Sequence, residues 1–479
     1  MCFVSGELDA GLDATLDADV DASLDGALDA ELDGAVEDAE VDASAELDGS
    51  TDASLDGGTS DAGTDAGSDG GIPFLPRDDC SEPIEVSVPA AGLQPTRPVV
   101  DFHDGRILLT YLDTDVSRRI PRARVYEAGT WGSQATLGST SDAPRQRLVA
   151  LGPSGDAAAA FAGPPISWTR WLRDHAVGWA EVPWPSGPTN NEASAMVWLG
   201  PRALVHVWHQ NARAPIFEAL TSSGWAPERP LSSSTGSTVS FAVGRTSEGL
   251  AAVVWHEDGL ALRGRLIDGD MLLEGEALWM EPATAVSRTS LALAPLPDGS
   301  SLVLWERRSV AAGIVMVELV QSVLRREGET LVFEAPAVRA SGSGSISFAD
   351  LQAVADDAGD VTVTWFDTVT SRQVRALRRV GGAWGTPVTL GSASNGMMRR
   401  MVIDRGGHVS VLVGGLGTTL SLRRIARGAI DWEAPFVVST ASTFPASDEA
   451  GLALDETDNP VAIWRTGVDP IRIVASTCR

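Results

Sequence analysis

Two groups of side chains in this sequence have types and spacings that could do chemistry. The segment 166–185 reads ISWTRWLRDHAVGWAEVPWP and holds Trp168, Trp171, Trp179 and Trp184, with Arg170, Arg173, Asp174 and His175 among them. Indole rings beside a guanidinium and a carboxylate can stack on a sugar or anchor a peptide. Trp168 and Trp171 are expected in a turn after an apolar strand, with Arg170 and Arg173 supplying charge. The competing reading has these rings cover a neighbouring structural unit. The second group is Asp113, Glu257, Glu306 and Asp367. Each follows, by one or two residues, an aromatic that closes an apolar run. If those runs are equivalent, the four acids gather on one face and line a cation or ligand site; solvated turn residues are the competing reading. His206 and His209 are three apart, which on a strand sends them to opposite faces, so no metal site is expected there. No cofactor is expected either.

The elements that must hold these residues recur along the chain. From Pro98 onward the pattern is an alternating apolar strand, a tight polar turn, a second strand ending in an aromatic, and often a G-x-W-x-x-P stretch. The second strands end at Tyr111, Phe161, Trp208, Trp255, Trp305, Trp365, Val413 and Trp464. Those positions are separated by 50, 47, 47, 50, 60, 48 and 51 residues, the longest interval reflecting an excursion around 320–347. The preceding turns are HDG (103–105), PSGD (153–156), GPR (200–202), SEG (247–249), PDG (297–299), DDAG (356–359), RGG (405–407) and ETDN (456–459). Gly, Asn and Asp are the residues that tolerate the positive φ such hairpins need. Units of this length hold about four strands of five or six residues. Trp208, Trp255, Trp305, Trp365 and Trp464 repeat at one position and are read as core.

The first 79 residues are different. Up to Gly71 there are 21 Asp and Glu and no Arg, within a net charge of −29 for the whole chain. Asp9, Asp13, Asp17, Asp21, Asp25, Asp29 and Asp33 recur every fourth residue, a spacing that stacks like charge along a helix and destabilises it. Aromatics are nearly absent, so no core offsets the ordering entropy. Residues 1–79 are read as a disordered Asp/Ala/Gly-rich tether, and 80–479 as the folded domain. The acidic balance argues against nucleic-acid binding and against anionic membrane surfaces. No apolar run reaches transmembrane length.

The repeat resembles that of β-propellers over residues 80–479. The resemblance implies an all-β, eight-bladed β-propeller, with seven blades the alternative if 300–348 or the terminal unit forms no blade. After Trp464 there is room for one more strand, Ile471 to Ser476. The segment Glu82–Pro89 resembles the outer strand of the other units, so a last blade shared by both ends is expected. That would leave no open sheet edge in the ring. Cys80 and Cys478 would then meet, and a disulfide between them implies an oxidising compartment. Cys2 directly follows Met1 and precedes the Asp/Ala/Gly/Ser tract. This pattern is similar to surface lipoproteins of myxobacteria-like organisms, and implies acylation of Cys2, an upstream signal, and a place outside the cell or on the outer membrane.

The expected function is a non-enzymatic, surface-displayed binding or adhesion module, a monomer taking an unidentified protein or glycan. A cell-envelope assembly scaffold is the first alternative. A sialidase-like glycosidase is the second, and the residues speak against it. Such chemistry needs a Tyr nucleophile, and the only tyrosines are Tyr111, at a core position, and Tyr126. The S-x-D-x-G-x-T-W pattern of those enzymes is also missing.

Overall fold

The computed structural model describes residues 80–89, 92–115, 119–138, 146–163, 167–182, 194–201, 203–209, 214–258, 261–282, 285–311, 314–343, 348–367, 373–392, 399–414, 419–439, 450–466 and 471–479. The acidic tract with Cys2 lies outside them, as does Trp184, and the side chain of Trp168 is not described. Every regular element among the described residues is a β-strand, and no helix there is long and apolar enough to cross a membrane.

The strands form eight antiparallel sheets. We number them as blades 1 (94–136), 2 (146–182), 3 (194–230), 4 (238–280), 5 (285–343), 6 (349–392), 7 (399–439) and 8 (450–477). The first strand of each blade touches the first strand of the next. Ala450–Leu454 of blade 8 touches Gln94–His103 of blade 1, so the ring closes with eight members. The long interval before Trp365 is also explained: blade 5 is a full blade whose second and third strands, Ser301–Ala311 and Ile314–Glu327, are extended.

The core is divided among the seams. Eight apolar clusters each join two neighbouring blades, one per seam. The strand-ending aromatics fill these wedges: Tyr111, Trp208, Trp255 and Trp305 are fully buried, and Phe161, Trp365 and Trp464 nearly so. Trp365 packs with Leu302 and Leu304 of blade 5, and Trp464 with Leu412 of blade 7, so each ring leans on the preceding blade. Blade 2 offers only Ala150, Ala158 and Ala160 beside Leu148 as buried apolar groups to the seam with blade 3, which leaves it with little aliphatic volume.

All eight expected turns join first to second strands, and each has a residue at positive φ. Seven are glycines, from Gly105 (77°) to Gly407 (81°), and the eighth is Asp458 (61°). Gly105 has a second reason to be glycine, because a Cβ there would stand 2.4 Å from the Glu456 Cα of blade 8.

Blade 8 takes its outer strand from the other end of the chain. Ile84 pairs with Ala475 and Glu85 with Val474. The Val86 amide donates to the Ile473 carbonyl at 2.9 Å and the Ser81 amide to the Thr477 carbonyl at 2.8 Å. Glu85 forms an ion pair with Arg472. Cys80 and Cys478 are disulfide-bonded, 398 residues apart in sequence. The regular part of the N-terminal strand is shorter than expected, Ile84–Glu85, and the last strand runs Ile473–Thr477.

Candidate ligand-binding face

The antiparallel order gives the ring two chemically different faces. First-to-second and third-to-fourth connections emerge on one face, which we call the turn face. Second-to-third and blade-to-blade connections emerge on the other, the loop face.

The turn face is closed by short hairpins that satisfy their own polar groups. In blade 1 the linkers are Asp104-Gly105 and Ala128-Gly129, with both central residues at positive φ, the geometry of a type I′ turn. In blade 6 the Asp356 Oδ1 accepts the Ala358 and Asp360 amides, each at 2.9 Å. In blade 8 the Asp455 Oδ1 accepts those of Thr457 and Asn459, each at 2.9 Å. At the loop face consecutive strand ends lie farther apart in sequence, as with Val182 and Ser194 or Ser439 and Ala450.

Asp113, Glu257 and Asp367 lie at or beside the loop-face ends of second strands and Glu306 lies midway along its extended one, but they are not solvated turn residues. Asp113, Glu257, Glu306 and Asp367 are all inside strands and at most 4% exposed. Burial of a carboxylate demands a partner, and three have an arginine of their own blade. Arg122 Nε donates to Asp113 at 2.8 Å. Arg263 bridges Glu257 and Glu276. Arg308 Nε donates to Glu306 at 2.7 Å, while the other Glu306 oxygen accepts the Phe348 amide of blade 6, also at 2.7 Å. In blade 6, Arg375 stands across from Trp365, but Asp367 Oδ1 is buried without a hydrogen-bond partner.

These four blades share another irregularity. Their first strands, and only theirs among the described first strands, shift register opposite or just beside the acid, between Thr96 and Val99, Thr238 and Ser240, Arg288 and Leu291, and Ala349 and Gln352. Such bulges re-aim side chains at the rim of a sheet. Among the described residues no group of three or more His, Cys, Asp or Glu could hold a metal. Asp113 and Glu257 are paired within their own blades, and Glu306 bonds both Arg308 and the Phe348 amide.

The tryptophan–arginine segment is also rearranged. Trp168 and Trp171 are on the third strand, Ser167–Asp174, not in the turn before it. Trp179 falls on the fourth strand, Gly178–Val182. Neighbouring residues of a strand point to opposite faces, and this separates the candidates. Trp171 packs into the seam with blade 1, whereas Arg170 enters the seam with blade 3 and is 1% exposed. They cannot form one stacking platform. Arg173, near the turn-face end, donates to the Gly155 carbonyl. There the exposed His175 amide donates to Asp156 at 2.9 Å.

Arg170 belongs to a polar column that sequence reasoning missed. Its guanidinium lies over the Trp225 ring, 3.5 Å from the centroid, and bonds Glu218 of blade 3. Glu218 lies 3.3 Å from His206 Nδ1, and His206 Nε2 is 2.7 Å from Ser194 Oγ. Burial holds His206 below its ordinary pKa, against the opposing pull of its Glu218 hydrogen bond. A hydroxyl, an imidazole and a carboxylate in this order are the parts of a nucleophilic relay. Here Ser194, His206 and Glu218 are 2%, 0% and 4% exposed, so the column as it stands meets no substrate. It fills the seam that the blade 2 alanines leave thin. Tyr111 is likewise occupied, its hydroxyl bonded to Gln134 and its pKa pushed up by burial.

No family model matches this chain, and no curated protein matches it. Solved structures do. The WD40 domain of SCAP from fission yeast matches 83% of this chain and 98% of its own, at 8% identity and a TM-score of 0.47. A variant of the Aleuria aurantia lectin AAL, in complex with Fucalpha1-6GlcNAc, matches 62% and 96%, at 13% identity and a TM-score of 0.36. A post-proline cleaving enzyme from Rickettsia typhi matches 78%, at 11% identity and a TM-score of 0.43, and this chain spans 58% of it. The chain is an all-β, eight-bladed β-propeller.

Proposed function

We propose that this propeller is a non-enzymatic binding module that engages a glycan or protein ligand through its loop face. In this reading it is displayed outside the cell on its acidic N-terminal segment, with Cys2 as a lipid anchor. The observation that supports it is the contrast between the two faces. The hairpins of the turn face bond their own polar groups, whereas towards the loop face four first strands are bulged beside buried acids, three of them paired with arginine. Loops set on a rigid scaffold are where recognition residues concentrate. The relay-like set Ser194, His206 and Glu218 is buried, which favours binding over turnover.

The test is to probe the full-length oxidised chain on a glycan array and against solubilised envelope proteins, alongside assays with chromogenic esters and glycosides. Saturable, salt-tolerant binding without turnover is expected. Hydrolysis that disappears in Ser194→Ala would contradict the reading. Binding confined to envelope proteins would favour the scaffold alternative.

A further inference from the structure

The seam between blades 6 and 7 contains a cavity of about 180 Å³ near the outer rim. It is lined by Ala376, Arg378, Val380, Val388 and Trp432, with the exposed Ile430 beside them. The place arises from a break in the repeat. The residue whose carbonyl accepts the amide that follows the fourth-strand start is Val125 in blade 1, Ala219 in blade 3, Leu266 in blade 4 and Val323 in blade 5. In blades 6 and 7 it is Arg378 and Arg424. A guanidinium therefore stands in the seam between blades 6 and 7, at a position where blades 1, 3, 4 and 5 present aliphatic groups, and Arg424 of blade 7 likewise donates to a backbone carbonyl, that of Cys478.

Arg378 is 5% exposed. It donates from Nη1 to the Ala426 and Ala429 carbonyls of blade 7, at 2.9 and 2.6 Å. Its Nε is buried with no partner. Among the described residues no carboxylate comes within ion-pair distance of it. Asp360 and Asp356 act on Arg378 from farther away, and Asp356 is 3.5 Å from the more exposed Arg427. A buried cation is normally paired, so the missing member of this arrangement is an anion. The cavity is too small for a drug-sized ligand and suits a single ring. Trp432 offers that ring an aromatic wall, and Ala376, Val380 and Val388 an apolar one.

We propose that this cavity binds one acidic pyranose, a hexuronate unit of a glycan, with its carboxylate against Arg378 and its ring against Trp432. The proposal rests on the binding-module reading and names a ligand class for it, at a subsite on the rim.

The experiment titrates the full-length oxidised chain with methyl β-glucuronide and with methyl β-glucoside, read by saturation-transfer NMR and by tryptophan fluorescence. The glucuronide should bind at least about tenfold more tightly than the glucoside, a difference of roughly 1.4 kcal/mol. Trp432→Ala should weaken it about tenfold, and Trp432→Phe should keep most of the binding. Arg378→Met should abolish the preference for the glucuronide; thermal melts identify any variant that fails to fold, and the Trp432 pair then decides. Equal binding of both sugars, glucuronide binding unchanged in Trp432→Ala, or no glucuronide binding throughout the millimolar range would each overturn the proposal. If any of these occurs while the array finds another ligand, the subsite fails and the binding-module reading stands. If array and envelope proteins are blank as well, both fail.

Discussion

Arg170 and Glu218 face each other across the seam between blades 2 and 3, and removing either takes away the main ion pair of the other. Breaking such a pair costs about 3–5 kcal/mol. Arg170→Ala should lower the denaturant midpoint accordingly, and the Arg170→Ala, Glu218→Ala double variant should lose less than the sum. An Arg170→Ala protein as stable as one altered at the exposed Arg325 would contradict this assignment. His256 carries a second residue-scale consequence. It is fully buried, 3.3 Å from Ser240 Oγ, and burial lowers its pKa from 6.5 to about 4. The unfolded chain binds the proton more readily, so the neutral ring stabilises the fold fully above about pH 6.5. That contribution is lost as pH falls towards 4. Each unit is worth about 1.4 kcal/mol, so the full effect is on the order of a few kcal/mol. His256→Gln should flatten the pH dependence of unfolding between 6.5 and 4; an unchanged slope would show that His256 is not the group responsible.

The turns are the elements on which the repeat depends, and two glycines separate their requirements. Gly105 and Gly269 both lie in two-residue hairpins at positive φ, 77° and 61°. A Cβ on Gly269 meets nothing within 4 Å, while one on Gly105 would strike Glu456 backbone. Gly269→Ala should cost roughly 1 kcal/mol from conformation alone. Gly105→Ala should cost clearly more, because blades 8 and 1 must also move apart. Equal denaturation midpoints for the two variants would mean that the approach of Gly105 to blade 8 carries no energy. Turns and second strands were legible in the sequence because their signals are local: apolar alternation, then a residue able to take positive φ, then an aromatic. The third strand of blade 2 was not. Arg170 and Trp171 enter opposite seams, so the stretch lacks the alternation of a strand with one polar face and reads as a turn cluster. The Arg170–Glu218 pair joins residues 48 apart on separate blades, and no local pattern encodes that. The four acids were visible as a set, but their burial depended on third-strand arginines such as Arg122 and Arg263, which the repeat pattern did not single out.

On the scale of the whole molecule, the chain closes its ring by clasping its own ends. The Ile84–Glu85 strand and the Ser81, Val86 and Arg472 contacts join blade 8 to the N-terminal segment, and the Cys80–Cys478 bond fixes the join. This clasp was legible because each end of the chain carried half of one unit, and each half carried a cysteine. A cross-link over so long a loop is worth about 6 kcal/mol in the chain-entropy treatment, with 2–5 kcal/mol the usual measured loss. Reduction, or Cys478→Ser, should therefore lower the unfolding midpoint and expose the Val86–Ile473 amide bonds to hydrogen exchange before those of blades 3 to 6. The closed eight-bladed ring is the claim on which the faces, seams and cavity all depend. Its most direct test is a peptide map of the non-reduced protein after thiol labelling. A linked pair of peptides containing Cys80 and Cys478, with neither thiol labelled, is the predicted result; free, labelled thiols at both positions in the folded protein would contradict it.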